Sequence, residues 1–133
     1  MSAPTSSAFD QTSIAIVDDD ASVRVSLKRL CTVFGLHATT YGSGREFLSA
    51  LEDGAPRADC LLLDAHMPEM TGSELQRHLV AKGIHIPTIV FTADDTPELL
   101  AHYTATGVVA FLRKPLSSED LLAAIERAVR RKE

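Results

Sequence analysis

The chain has 133 residues, of which 45% are hydrophobic and 23% are charged, and its formal net charge is -5. This length suits one globular domain and is too short for a catalytic domain that carries a separate cap. The negative charge argues against direct nucleic-acid binding, which needs a basic face, and no apolar stretch approaches the roughly 18 residues of a membrane span.

The N-terminal segment Met1–Gln11 is rich in Ser, Ala and Thr and has neither a basic start nor an apolar run. We therefore predict a disordered tail over residues 1–11, without a signal peptide, and one folded domain over residues 12–133. Cys31 and Cys60 have no metal-binding spacing, so we interpret both as reduced core residues of a cytoplasmic protein.

From Thr12 onward, the sequence alternates between strand patterns and helix patterns five times. Several strand runs are apolar without alternation, which is typical of parallel strands whose two faces are both covered. The predicted strands are Ser13–Val17, Leu36–Tyr41, Asp59–Leu63, Pro87–Thr92 and Val108–Leu112.

The helical patterns between these strands have clear start and end signals. The start signals are Ser43 with Glu46, Thr71 with Glu74, Thr96 before Pro97, and Ser117 with Asp120. The glycines that follow helical stretches are Gly35, Gly54, Gly83 and Gly107. Five βα units with short connections predict an α/β, doubly wound open sheet in a three-layer sandwich, because a (βα)₈ barrel needs more units.

Acidic side chains end two of the predicted strands. Asp18, Asp19 and Asp20 come directly after the first strand, and Asp64 comes directly after the third. Ligands of open parallel sheets bind beyond the carboxyl ends of the strands, where the chain order reverses. If the first and third strands are neighbours, these carboxylates repel one another and either raise their pKa values or attract a cation. Oxygen ligands without His or Cys suit Mg²⁺, which we predict as the cofactor.

A hydroxyl and an ammonium group follow two further strands, since Thr92 ends the fourth strand and Lys114 comes after the fifth. A carboxylate nucleophile, a dication, an ammonium group and a hydroxyl together suit phosphoryl transfer. In this hypothesis Asp64 attacks phosphorus in line and becomes an aspartyl phosphate, while the cation and Lys114 neutralise charge on the phosphoryl oxygens.

These residues together resemble the receiver domain of bacterial two-component response regulators, over Ser13 to about Arg130. The matching motifs, in chain order, are Asp18–Asp19, Asp64 with Met67–Pro68, Thr92–Ala93 and Lys114–Pro115. Each motif alone is weak, but all four in this order are specific. The resemblance implies a flavodoxin-like sheet of five parallel strands in the order 2-1-3-4-5 with five helices.

The resemblance also implies roles for the acidic residues. Asp64 would accept the phosphoryl group from a phosphohistidine of a sensor histidine kinase or a phosphotransfer protein. The side chains of Asp19 and Asp64 would bind Mg²⁺ together with the backbone carbonyl of His66, and Asp18 would support the ion through water. The protein would be a phosphoacceptor that assists its own phosphorylation and slow dephosphorylation, and not an enzyme for other substrates.

The remaining motif residues would respond to the phosphoryl group. Thr92, Ala93 and Lys114 would contact or respond to its oxygens, the bond before Pro115 would be cis, and Phe111 would occupy the aromatic switch position. Phosphorylation would then shift the population of states of the face formed by the fourth helix, fifth strand and fifth helix. That face would control an output domain or a partner, and the expected output is transcriptional.

A further hypothesis is that phosphorylation promotes homodimerisation through the same face. Leu99, Leu100 and Tyr103 lie in the predicted fourth helix and motivate this hypothesis.

Two other functions were weighed against the receiver. Asp18-x-Asp20 superficially resembles the acid pair of haloacid-dehalogenase-type phosphatases, but the chain lacks length for a cap and that scheme leaves Asp64 without a role. A flavodoxin-like cofactor carrier fails because a carboxylate cluster would repel a flavin phosphate.

Overall fold

The computed structural model describes residues 12–93, 96–106 and 108–132, and within them five parallel strands form one sheet in the order β2-β1-β3-β4-β5. The strands are β1 (Ser13–Val17), β2 (His37–Tyr41), β3 (Cys60–Asp64), β4 (Thr88–Thr92) and β5 (Ala110–Arg113). The helices are α1 (Ala21–Val33), α2 (Gly44–Glu52), α3 (Gly72–Ala81), α4 (Pro97–Ala105) and α5 (Ser118–Lys132). The predicted α/β sandwich is confirmed, including its strand order, whereas the predicted tail and Gly107 lie outside the described residues.

The core has two halves because successive strand residues point to opposite faces of the sheet. Ile14 and Ile16 of β1 pack on one face in a cluster with buried residues of α1 and α5. Ala15 and Val17 pack on the other face with buried residues of α2, α3 and α4. Both faces of the central strands are therefore buried, which explains why their sequences are apolar without alternation.

The predicted helix starts are confirmed by their hydrogen bonds. The Ser43, Thr96 and Ser117 hydroxyls accept from backbone N–H groups in the first turns of α2, α4 and α5, and Thr71 forms a reciprocal capping box with Glu74 at the start of α3. The glycines Gly35, Gly54 and Gly83 have φ values of 84°, 93° and 72°, which favour glycine after a helix.

Two strands end later than the sequence predicted. β3 includes Asp64, which pairs with Phe91 of β4, and β5 runs from Ala110 to Arg113 instead of from Val108 to Leu112. Because the ladder continues through Asp64, the backbone of this aspartate is fixed by the sheet.

Cys31 and Cys60 are both buried and free, as predicted. Burial raises the pKa of the Cys31 thiol to about 11 and raises the pKa of Cys60 as well, so both thiols stay protonated. No helix within the described ranges has both the length and the apolar character to cross a membrane.

Candidate functional site

Three acidic side chains meet where β1 and β3 lie side by side. The carboxyl ends of the two strands are adjacent because Val17 pairs with Leu63. One carboxylate oxygen from each of Asp18, Asp19 and Asp64 lies within 4.8 Å of the others. The site therefore occupies the edge of the sheet at which the chain order reverses, as the parallel topology predicts.

Lys114 reaches this acidic cluster from the segment after β5. Its Nζ lies 3.5 Å from Asp18 Oδ2 and 3.6 Å from Asp64 Oδ1. The same ammonium lies 5.3 Å from the centroid of the Phe91 ring. Its backbone N–H donates to the carbonyl of Thr92 at 2.8 Å, and the following bond to Pro115 is cis. The hydrogen bond to β4 therefore fixes the position of the Lys114 backbone, from which the side chain extends to the acids.

Asp18 lies below the surface and is fully buried. Its Oδ1 accepts the N–H of Asp20 at 2.8 Å, whereas its Oδ2 has no hydrogen-bond partner among the described residues. Arg24, which the sequence did not indicate as a site residue, donates from its Nη1 to the Asp18 carbonyl oxygen at 2.7 Å. Its position one turn into α1 is the signal that could have indicated this contact.

The acids outnumber the positive charge that faces them. Burial and, to a smaller extent, the neighbouring Asp18 raise the pKa of Asp64 to about 6, although Lys114 opposes both effects. Burial also raises the pKa of Asp18, against the hydrogen bond from Asp20 and the attraction of Lys114. A cluster of carboxylates with one buried oxygen that accepts no hydrogen bond among the described residues, and with no sulfur or imidazole ligand, fits a hard divalent cation.

Asp19 and His66 line the exposed side of the cluster. The backbone N–H of His66 donates to Asp64 Oδ1 at 3.3 Å, so the loop after β3 folds back over the carboxylate. Asp20 turns away and caps α1, and its hydrogen bonds from Ser22 lower its pKa. Because its carboxylate is engaged at the helix start, Asp20 does not join the acidic cluster, and the phosphatase alternative is not supported.

Thr92 and Ala93 stand at the end of β4 beside the segment of Lys114. Thr92 is buried and Ala93 is exposed. Phe111 of β5 is half-buried, and its ring centroid lies 5.8 Å from that of Tyr103.

The expectation that Tyr103 lies on a dimerisation surface is wrong, because this side chain is fully buried. Its ring packs in the cluster under α2, α3 and α4. Leu99 is partly buried against the same cluster, whereas Leu100 is 42% exposed.

The loop between β3 and α3 has an unusual backbone at Glu69, whose φ is 69°. A residue other than glycine rarely adopts this conformation. Met67 and Met70 on either side are buried and pack into the core. Their burial holds the loop in a fixed path from Asp64 to α3.

The comparisons with known proteins agree on one family. The family model for the response regulator receiver domain matches residues 14–126. The chain is 36% identical over 122 residues to the response regulator protein TmoT of Ectopseudomonas mendocina, which covers 91% of this chain and 54% of TmoT. It is also 36% identical over 114 residues to the DNA-binding transcriptional regulator NtrC of Klebsiella pneumoniae, covering 86% of this chain and 24% of NtrC.

A solved structure agrees with the sequence comparisons. The crystal structure of FixJ-N superimposes with a TM-score of 0.82 at 34% identity, covering 92% of this chain and 96% of that one.

The two sequence relatives are longer than this chain, which spans about half the length of TmoT and about a quarter of NtrC.

Proposed function

The chain belongs to the response regulator receiver domain family, and from that premise we propose that Asp64 is the residue that is phosphorylated. The phosphoryl donor is a phosphohistidine of a sensor histidine kinase or a phosphotransfer protein. The observation that carries this proposal is the convergence of Asp18, Asp19 and Asp64 within 4.8 Å, next to the Lys114 ammonium.

The transfer step needs an ionised and accessible oxygen on Asp64. A carboxylate oxygen of Asp64 forms the new bond to phosphorus, and the bond from phosphorus to the donor imidazole nitrogen breaks, with the electron pair leaving on that nitrogen. Lys114 holds its positive charge 3.6 Å from Asp64 Oδ1, where negative charge on the transferred group would accumulate. The proposed contacts of Thr92 and Ala93 with the phosphoryl oxygens come from the segment that the Lys114 backbone anchors.

The donor set supports Mg²⁺ as the cation of this site. Asp19 and Asp64 would bind it by side chain and His66 by its backbone carbonyl, while the buried Asp18 would support it through water. The Oδ2 of Asp18, which accepts no hydrogen bond among the described residues, and the exclusively oxygen donors support a hard ion. When bound, the ion supplies positive charge that lets a phosphoryl group approach the carboxylates.

The phosphoryl group would act on the rest of the domain by biasing two states. Contacts of Thr92 and Lys114 with phosphate exist in only one state, so phosphorylation increases the population of that state. Phe111 has no hydroxyl, so packing alone would stabilise its inward position. The face formed by α4, β5 and α5 would transmit the change to an output domain or partner, with transcription as the output, because TmoT and NtrC are named as regulators and are longer than this chain.

The proposal extends to how the domain works in the cell. It assists its own phosphorylation and slow dephosphorylation and turns over no other substrate. Its two free buried thiols support work in the cytoplasm, and the receiver domain extends over the predicted range 12–133.

The experiment that tests this proposal compares Asp64→Asn with Asp20→Asn. Both variants remove one charge, and asparagine can still cap α1 at position 20. With acetyl phosphate and Mg²⁺ we expect the parent and Asp20→Asn to be labelled, and Asp64→Asn or chelator to abolish labelling. Undiminished labelling of Asp64→Asn would refute the assignment, and steady turnover of p-nitrophenyl phosphate that requires Asp20 would favour a phosphatase.

A further inference from the structure

The buried side chain of Tyr103 connects α4 to the loop that follows Asp64. Its hydroxyl lies 3.4 Å from the carbonyl oxygen of Ala65, to which it donates. The same hydroxyl oxygen packs closely against Gly72, the first residue of α3. Ala65 begins the loop between β3 and α3 and Gly72 follows its last residue, so one hydroxyl contacts both ends of this loop.

The space around this hydroxyl is closed. A Cβ atom at Gly72 would lie 2.7 Å from the Tyr103 hydroxyl oxygen and 2.8 Å from the Asp64 carbonyl oxygen. Only glycine therefore fits between them. The N–H of Gly72 also donates to the Ala65 carbonyl at 3.3 Å, so that carbonyl receives two donors. Ala65 and Gly72, which we call the neck of the loop, are therefore packed and hydrogen-bonded to each other. Tyr103 is the residue of α4 that contacts both of them.

Burial raises the pKa of Tyr103 to about 12, so the hydroxyl is protonated at neutral pH and remains a donor. The neighbouring His102 contacts the Ser73 hydroxyl through Nε2, which adds a second link from α4 to the start of α3. The Tyr103 ring also packs against Phe111 on β5. The core thus fixes the ring of Tyr103, and the loop binds its hydroxyl.

We propose that Tyr103 is a positioning residue of the metal site, which holds the neck of the β3–α3 loop so that the His66 carbonyl and Asp64 are prearranged for a divalent cation. The inference rests on the proposed roles of Asp64 and His66. Without the bridge, binding the cation must also order the loop, and that ordering reduces affinity. The same linkage means that cation binding restrains α4, because coupling between two sites is reciprocal.

The test is Tyr103→Phe, which removes the hydroxyl and keeps the ring. Tyr41→Phe is the matched control, because Tyr41 lies on β2 and its ring packs on Phe47. Mg²⁺ binding is measured by calorimetry at a temperature where urea titration shows each variant to be folded. We expect the Mg²⁺ Kd of Tyr103→Phe to rise about three- to tenfold, the range of one net hydrogen bond, and that of Tyr41→Phe to match the parent.

Two further readouts separate positioning from general loss of stability. The Mg²⁺ concentration for half-maximal labelling by acetyl phosphate should rise by the same factor in Tyr103→Phe, with the rate at saturating Mg²⁺ unchanged. In the metal-free protein, the Gly72 amide, which donates to the same Ala65 carbonyl, should exchange with deuterium faster in this variant than in the parent.

The outcomes distinguish this inference from the proposed function. Equal Mg²⁺ Kd values for Tyr103→Phe and Tyr41→Phe, with normal labelling of the parent, would overturn the role of Tyr103 and leave that of Asp64 intact. A parent protein that neither binds Mg²⁺ nor becomes labelled would overturn both.

Discussion

Asp64 combines two properties that a phosphoacceptor needs, a fixed backbone and a carboxylate held among like charges. The sheet fixes its backbone, while burial and the adjacent Asp18 raise its pKa to about 6. Lys114 is the cation that the described structure brings within 4 Å of both acids. The metal-free site is therefore short of positive charge, and this imbalance is what a divalent cation would relieve.

The first prediction is that Asp64→Asn stabilises the metal-free protein in a pH-dependent way. The folded-state pKa of about 6 lies above the ordinary value of 3.8, so ionisation of Asp64 favours unfolding. Below the ordinary pKa, the carboxyl is protonated in both states and this cost is absent; it develops as the pH rises through 6 and is complete above it. Asparagine never ionises, so the cost disappears in the variant.

We expect Asp64→Asn to raise the free energy of unfolding by on the order of 1 to 3 kcal/mol at pH 7.5 and by little at pH 4. Urea titrations in chelator at both pH values measure the difference. An equal effect at the two pH values would show that the titration of Asp64 is not its cause.

The backbone conformation of Glu69 could not be predicted from the sequence. Its left-handed backbone, with φ of 69°, costs on the order of 1 kcal/mol in a residue other than glycine. Glutamate is not a residue that commonly marks this conformation, unlike the glycines that follow α1, α2 and α3. The buried Met67 and Met70 on either side account for it, because their packing fixes the loop path.

Helix α3 begins at Gly72, directly after the loop of the site, and its start is stabilised by a capping box. The Thr71 hydroxyl accepts the Glu74 N–H at 3.1 Å, and the Glu74 carboxylate accepts the Thr71 N–H at 2.9 Å. Two of the donors that a helix start leaves unpaired are thereby satisfied.

The second prediction is that Thr71→Ala lowers the free energy of unfolding by about 1 kcal/mol, because the Glu74 N–H loses its acceptor. Thr71→Ser keeps an oxygen in place and should retain most of the stability. Urea denaturation of the three proteins measures the effect. Equal losses for the alanine and serine variants would point to the methyl group of Thr71 and against the cap.

The sequence predicted most of the helices and strands, because the patterns that mark them are local in the chain. Apolar runs identified the strands other than β2, whose sequence is more polar, and polar caps identified helix starts, since each signal depends on neighbours along the chain. The strand ends shifted because the ladder does not stop where polarity begins. The Ala65 N–H still donates to the Phe91 carbonyl at 3.0 Å after the apolar run has ended, so β3 continues through Asp64.

Contacts between distant elements explain what the sequence could not predict at the site. Strand ends indicated which acids would converge, but Tyr103 meets Ala65 across 38 positions of the chain. The pattern of α4 does not separate its buried face from its exposed face, so the sequence does not distinguish the buried Tyr103 from the exposed Leu100. Only the packed sheet brings this hydroxyl to the loop of the site.

In the proposed function, the phosphoryl group binds at one edge of the sheet and the change is transmitted through the face formed by α4, β5 and α5. The acidic cluster lies at the carboxyl ends of β1 and β3, in the middle of the sheet. β5 is an edge strand of the same sheet, two positions away from β3. The rings of Phe111 on β5 and Tyr103 on α4 pack on each other, and the Tyr103 hydroxyl reaches the loop after Asp64. This arrangement suits a domain in which a small chemical change at the edge alters a distant surface.

The third prediction is that phosphorylation makes the domain dimerise through α4, β5 and α5. Leu100 is 42% exposed on α4, whereas Val80 on α3 is 62% exposed and lies outside that face. Beryllofluoride with Mg²⁺ mimics the phosphoryl group, so sedimentation should show a doubled mass for the parent and for Val80→Asp. Leu100→Asp should remain a monomer, because a charge would be buried in the interface. An unchanged mass of the parent would dispose of this dimer.

Chemical trapping of the phosphorylated residue tests the central claim most directly. The protein is incubated with acetyl phosphate and Mg²⁺, borohydride reduces the acyl phosphate to an alcohol, and mass spectrometry of peptides locates the reduced side chain. We predict reduction of Asp64 to a homoserine, with Asp18, Asp19 and Asp20 unchanged. Reduction at any of those three residues while Asp64 stays intact would contradict the account.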